Sequence, residues 1–186
     1  LSGKWHLGRT ETTHPVYRGF EDYYGLLDGC CNFFDPYYRD PKYKWGSSGG
    51  GYRFFAKNTT RITEFPDDFY TTDAFTDHAI EQIKGYAKTD QPFFLHLCYT
   101  APHYPLHAKP KDIAKYKGRY AAGWEALREE RYQRQLKMGL VDPQWKLPER
   151  DPESADWEND KYPRDWQQRR MEVYAAMIDC MDQNIG

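Results

Sequence analysis

No apolar run in the 186 residues approaches the ~20 that a bilayer-crossing helix needs, so the chain holds no membrane span of that kind. Surplus charge is missing too. Lys and Arg number 26 against 28 Asp and Glu, for a formal −2, and this balance gives no electrostatic reason to expect nucleic acid or an anionic membrane as partner. Cysteine is sparse: Cys30, Cys31, Cys98 and Cys180 show neither zinc spacing nor a disulfide framework. Neighbours Cys30 and Cys31 are poorly placed to bridge each other, and Cys98 and Cys180 sit inside apolar patterns, so free thiols are expected. Apolar residues are scarce at 39%, with a mean hydropathy of −0.97. Aromatic residues are plentiful, at 17% with 16 Tyr and 6 Trp. Disordered segments are poor in aromatics, so the composition points to a folded, open, loop-rich enzyme piece with a real core. The chain opens on Leu1-Ser2-Gly3-Lys4 without Met or a leader-like segment, and is expected to have been cut from something longer.

Residues 1–60 are rich in Gly, Tyr and Pro and predict short strands with many turns. Gly46-Ser47-Ser48-Gly49-Gly50-Gly51 reads as a flexible loop; it lacks the spacing and the following helix of a phosphate loop. Phe75, Ala79, Ile83 and Ala87 recur every fourth position and predict a helix over about 72–87, capped by Thr72 or Asp73 and ended by Pro92. Phe93 through Tyr99, nearly all apolar, reads as a strand buried on both faces of a parallel sheet. Helix then buried strand is half of a βαβ unit and points to an α/β fold. A second helix is expected over 124–138 with Gly139 as its cap. Residues 141–165, with Pro143, Pro148, Pro152 and Pro163, read as a long irregular excursion. A last helix starts near Trp166, with Met171, Tyr174, Met177, Ile178, Met181 and Ile185 on its apolar face.

Two clusters could carry chemistry. Gly3-Lys4-Trp5-His6-Leu7-Gly8 sets an ammonium and an imidazole two residues apart, on one side if the segment is extended. The glycines allow close backbone approach to an anion, and His can carry a proton near neutral pH. This suits a sulfate or phosphate, with a solvated loop as the plain alternative. Thr100-Ala101-Pro102-His103-Tyr104-Pro105-Leu106-His107 follows the expected strand, placing His103 at a carboxyl end, where open α/β sheets build ligand sites. An imidazole there could act as a general acid; the alternative is a turn His that only bonds a nearby carbonyl. His107 lies beside this cluster and is assigned to substrate binding, with a structural role as its alternative. His14 reads as a loop residue, His78 as the polar side of its helix and His96 as a satisfied strand residue. Asp67-Asp68 reads as a solvated loop, and Asn58-Thr59-Thr60 fits a glycosylation sequon.

The Gly-Lys-Trp-His-Leu-Gly stretch closely resembles the second signature of the formylglycine-dependent sulfatases, arylsulfatase-like members of the alkaline phosphatase superfamily. Further blocks follow in the order of that family: Arg18-Gly19-Phe20 with Tyr23-Tyr24-Gly25, Tyr70-Thr71-Thr72-Asp73, Pro92 to Leu95, Ala101 to Leu106, Lys115 to Tyr120, and Met171 to Gly186. The resemblance implies a partial alkaline-phosphatase-like α/β domain, a mostly parallel sheet flanked by helices with long irregular loops, and hydrolysis of aryl or carbohydrate sulfate esters. It implies that Lys4 contacts a sulfate oxygen, that His6 touches the formylglycine hydroxyls and acts as a base, and that His103 assists departure of the alcohol.

The family's nucleophile motif, Cys or Ser followed by x-Pro-x-Arg, occurs nowhere in the chain. Neither do its paired Asp ligands after an early strand. The resemblance therefore implies that residues 1–186 are the central portion of a catalytic domain, lacking the nucleophile and metal segments on either side. Formylglycine and the Ca2+ ligands would lie outside the chain, with no metal ligand inside it. The isolated chain is expected to be inactive and prone to self-association through its last helix. A periplasmic, secreted or lysosomal location is implied for the parent protein. A phosphate or phosphonate ester hydrolase, or a non-catalytic binding remnant, are the competing readings.

Overall fold

A computed structural model describes residues 1–38, 53–154, 156–158 and 161–186; the glycine-rich stretch 46–51 lies outside them. The described chain forms two compact units, Leu1–Ala108 with Met177–Gly186, and Lys109–Ala176.

The first unit is built on a five-stranded sheet: β1 (Ser2–Gly3), β2 (Tyr24–Leu26), β3 (Phe55–Lys57), β4 (Thr60–Ile62) and β5 (Leu97–Cys98), in the order β4-β3-β2-β1-β5. β1 pairs in parallel with β2 and with β5, whereas β2–β3 and β3–β4 are antiparallel. The sheet is thus mixed, and its parallel part is the β2-β1-β5 side. β3 and β4 form a hairpin closed by Asn58-Thr59, with Lys57 opposite Thr60. Asn58 adopts φ +50, a left-handed setting that Asn tolerates better than most residues. Its Oδ1 accepts from the Tyr23 N–H at 2.8 Å. The expected sequon asparagine is therefore half-buried and committed to the turn.

Alternation along the strands separates two cores. Leu26 and Phe55 join Cys31, Phe69 and Phe75 on one face; Leu27 and Ala56 join Leu1 and Tyr23 on the other. The first face is covered by α1 (Thr71–Tyr86), whose Phe75 ring stacks on Phe55 at 5.9 Å. Each fully buried ring of this kind contributes roughly 2–3 kcal/mol. Ser2 Oγ donates to the Phe75 carbonyl at 2.7 Å, tying β1 to that helix.

Phe75 and Ala79 are buried as the helical spacing predicts, but Ile83 is exposed near the helix end. The expected caps are not used. Tyr70 occupies the N-cap without a side-chain bond, while Asp73 Oδ1 accepts from Asn184 at 3.0 Å and faces the Cys180 thiol. The buried strand over 93–99 contracts to Leu97–Cys98 and is the sheet margin among the described residues. Phe93 and Phe94 precede the strand and are exposed, Phe93 stacked on Tyr86 at 5.3 Å.

Three histidines depart from expectation. His14 is buried and caps a short 3-10 turn, Pro15–Tyr17, its Nδ1 accepting from Val16 N–H. His78 is buried as well, stacked on Tyr24 at 4.9 Å with Nε2 2.9 Å from the Asp22 carboxylate. A 3.6-residue pattern cannot see such a partner, since it comes from a distant loop. His96 lies exposed before β5, and its carbonyl accepts from Ser2 N–H at 3.0 Å. Asp67 and Asp68 are exposed in a turn, as read.

The second unit holds α2 (Pro110–Ala114), α3 (Gly123–Lys137) and the first part of α4 (Arg164–Ile185). α3 ends as its sequence predicts: Gly139, at φ +70, donates to Leu136 O and Leu140 donates to Gln135 O, both at 3.0 Å. The irregular stretch after it is held back against α3. Trp157 meets Trp124 edge-on at 4.6 Å, Tyr132 Oη donates to Trp145 O, and Arg150 pairs with Glu125 at 3.2 Å. Buried Glu172 accepts from Gly118 N–H at 2.8 Å and from the Gln168 and Arg169 side chains. No described helix is long and apolar enough to cross a membrane.

Candidate active site

β1, β2 and β5 run in the same direction, in register Ser2↔Tyr24, Ser2↔Leu97 and Gly3↔Cys98. The segments that follow them, 4–8, 27–34 and 99–107, therefore leave the sheet at one carboxyl edge, the place where parallel sheets form ligand sites. Backbone bonds lace these segments together. Lys4 N–H donates to Cys98 O at 2.7 Å, Trp5 N–H to Leu26 O at 2.8 Å and His6 N–H to Leu27 O at 3.2 Å. The approach is so close at Gly3 (φ +117) that a Cβ there would lie 1.9 Å from the Cys98 carbonyl oxygen. Only glycine fits that position.

Trp5 is pinned by its Nε1 donating to Thr13 O at 2.8 Å and by edge contact with Phe20. The flanking Lys4 and His6 do not share a side in the simple manner of an extended strand, because His6 takes φ +57, a left-handed setting uncommon for a residue with a side chain. The outcome is nonetheless a common neighbour. The His6 ring lies over Gly29, and the half-buried Lys4 is near enough to bias the thiol of Cys30. Burial pushes that thiol up, with Arg53 and Lys4 opposing; burial pushes Cys31 up far more strongly. Both stay thiols at neutral pH, so neither is an activated nucleophile.

His103 is exposed on the segment after β5. Its N–H donates to Thr100 O at 2.9 Å, and its Nδ1 lies 2.6 Å from the Tyr104 carbonyl oxygen. A carbonyl can only accept, so Nδ1 carries a proton and Nε2 is the atom left for proton exchange. The carbonyl bond expected of a plain turn histidine is present and occupies one ring nitrogen. His107 is used for packing: its Nδ1 accepts from Phe33 N–H at 3.3 Å, its carbonyl accepts from Tyr70 Oη, and its ring meets Phe33 and Phe34.

Sequence reasoning missed Asp28, Arg53 and Arg9 around the same edge. Asp28 Oδ2 accepts from Phe54 N–H at 2.7 Å, its Oδ1 is 3.8 Å from Arg9 Nη1, and Arg53 reaches the Cys30 sulfur at 3.8 Å. No spacing rule connects these three segments. Among the described residues no three His, Cys, Asp or Glu side chains converge. The described residues do not fit a calcium cage.

The Sulfatase family profile matches residues 1–186. The chain belongs to the sulfatase family. This sulfatase sequence is 35% identical to an uncharacterized sulfatase of Schizosaccharomyces pombe, a match covering 100% of this chain and 34% of the relative. It is 31% identical to an arylsulfatase of Klebsiella aerogenes, covering 100% of this chain and 39% of that protein. It thus spans about a third of the length of these relatives. The structure of Ps i-CgsB in complex with k-i-k-neocarrahexaose is similar, with a TM-score of 0.59 and 26% identity over 99% of this chain and 31% of the other. The α/β class, a sheet flanked by helices, is that of these sulfatase-fold neighbours.

Proposed function

We propose that the protein carrying this sulfatase chain hydrolyses sulfate esters and that Lys4, His6 and His103 act on the ester at the carboxyl edge of β1 and β5. One observation carries the reading: the Lys4 N–H bond to the Cys98 carbonyl, at 2.7 Å, sets the first residue after β1 beside the last residue of β5. The cationic and the imidazole-bearing segments leave the sheet together.

The chemistry follows from what each group can do. The Lys4 ammonium offsets negative charge that builds on the sulfuryl oxygens as the sulfur becomes crowded. His103, protonated, gives its Nε2 proton to the bridging oxygen as the sulfur–oxygen bond breaks, so the alcohol leaves neutral. Its Nδ1–H···O=C bond to Tyr104 keeps the ring oriented through the transfer. His6, held over Gly29, serves as the base toward hydroxyls beside it. The attacking oxygen is expected from a formylglycine residue outside this chain, and the 186-residue piece alone is read as inactive. The packing of His107 against Phe33 gives it a supporting role in shaping the site.

The test uses the full-length protein and an aryl sulfate. Lys4→Ala and His103→Ala are each expected to lower kcat/KM by about a hundredfold or more while leaving the melting temperature near that of the parent. Turnover by either variant within about twofold of the parent would overturn the assignment.

A further inference from the structure

Beside the candidate site, two arginines meet on one aromatic ring. The Arg9 guanidinium carbon lies 4.4 Å from the centre of the Phe54 ring and that of Arg61 lies 4.0 Å from the same centre. Like charges gathered on one ring repel each other, and the arrangement gains by having an anion close by. Arg9 meets one carboxylate, Asp28, at 3.8 Å and keeps about half its side chain exposed, 51%. Arg61 is exposed and makes no ion pair among the described residues; its Nη2 donates only to the Arg53 carbonyl.

This cluster is joined to the candidate site through a single loop. Leu27 N–H donates to Phe54 O at 2.9 Å and Phe54 N–H donates to Asp28 Oδ2 at 2.7 Å. The next residue, Gly29, lies beneath the His6 ring, and the one after, Cys30, feels Lys4 and Arg53. Residues 27–30 thus meet the His6 ring at Gly29 and the Phe54 backbone and Arg9 at Asp28. A guanidinium stacked on a ring loses little further freedom when it binds, and its N–H edges match sulfate oxygens two at a time.

We propose that Arg9, Phe54 and Arg61 form a subsite for a second sulfate group of the same substrate molecule, which makes the substrate a carbohydrate bearing sulfate on more than one sugar residue. The subsite rests on the reading that the scissile ester lies at Lys4, His6 and His103. It adds a requirement that reading does not contain: affinity that grows with the number of sulfates and falls with salt.

The full-length protein decides the matter by calorimetry with neocarrahexaose and with a heparin hexasaccharide across a salt series, alongside kcat/KM on an aryl sulfate carrying one sulfate. Arg9→Gln/Arg61→Gln is expected to weaken binding of at least one hexasaccharide by about tenfold or more and to flatten its salt dependence. Turnover of the aryl sulfate by Arg61→Gln alone should stay within about twofold. Lys84→Gln/Lys88→Gln, which removes the same charge from exposed positions on and just beyond α1, should leave binding unchanged. Equal affinity in the arginine variant and the parent overturns the subsite, and so does an equal loss in the lysine variant. Arg61→Gln alone breaks no described ion pair and should show a smaller loss of the same kind, which decides the question if the double variant unfolds. A parent protein inactive on every sulfate ester would sink the cleavage reading instead, while its hexasaccharide binding would still judge the subsite.

Discussion

The His6 imidazole covers Gly29 so closely that a methyl group built on that glycine would lie 2.7 Å from both Cε1 and Nε2 of the ring. The ring is the end of a side chain, so it can swing away while the backbone stays.

Gly29→Ala should therefore fold with nearly the parent melting temperature and yet lose activity, because a displaced base is no longer in reach of its proton. Sulfate ester turnover is expected to fall by about tenfold to a hundredfold. Parallel melting curves and kinetics check this; unchanged turnover would mean that the position of His6 over Gly29 has no part in the reaction.

Acid should loosen the first unit through two buried imidazoles. Burial holds His14 below its ordinary value of 6.5, with the Asn58 backbone opposing. Burial does the same to His78, where Asp22 opposes while Lys57 adds to the lowering. The Nδ1 of His78 is buried with no hydrogen-bond partner. The unfolded chain then binds more protons than the folded one just below that value. Stability present above about pH 6.5 is lost as pH falls through the folded values. Urea midpoints measured between about pH 7.5 and about 5.5 should decline, and His78→Gln should make the decline shallower. A flat profile in the parent would contradict this account.

The second unit has its own acid threshold at Glu172. Burial by itself would push this carboxyl up, but the Gly118 N–H, Gln168 and Arg169 together hold it below its ordinary value of 4.5. The stabilisation is present above that value and is lost as pH falls through the folded one. Glu172→Gln should cost about 2 kcal/mol at neutral pH and remove that part of the acid dependence, as read from denaturant titrations. A variant as stable as the parent would show that the three donors find other partners.

Much of the helical part was legible because its signals are local. Phe75 and Ala79 mark the buried face of α1, Gly139 stops α3 with the two bonds its position predicts, and Met177 and Cys180 are buried on α4. The sheet was harder to read. Ser2–Gly3 and Leu97–Cys98 are too short to show alternation, and the Phe55–Lys57/Thr60–Ile62 hairpin carries no strong turn pair. That the segments carrying Lys4, His6 and His103 leave the sheet at one edge follows from the pairing of β1 with β5, which no local spacing encodes. His78 and the Arg9–Phe54–Arg61 cluster were out of reach, since each depends on residues from distant segments meeting in space.

Gly3 and Lys4 give the edge of the sheet one more property. With the Gly3 α-carbon pressed against the Cys98 carbonyl oxygen and the Lys4 N–H bonded to that same oxygen, the two exits share a single anchor. Side chains beyond it can turn, but the backbones from which they hang cannot part without giving up that bond and exposing its atoms. The gap between the lysine and histidine segments behaves as a fixed gauge. Adjustment to guests of different bulk must come from rotamers and from the outer reaches of each loop, while the distance at their roots is set once, when the strands pair.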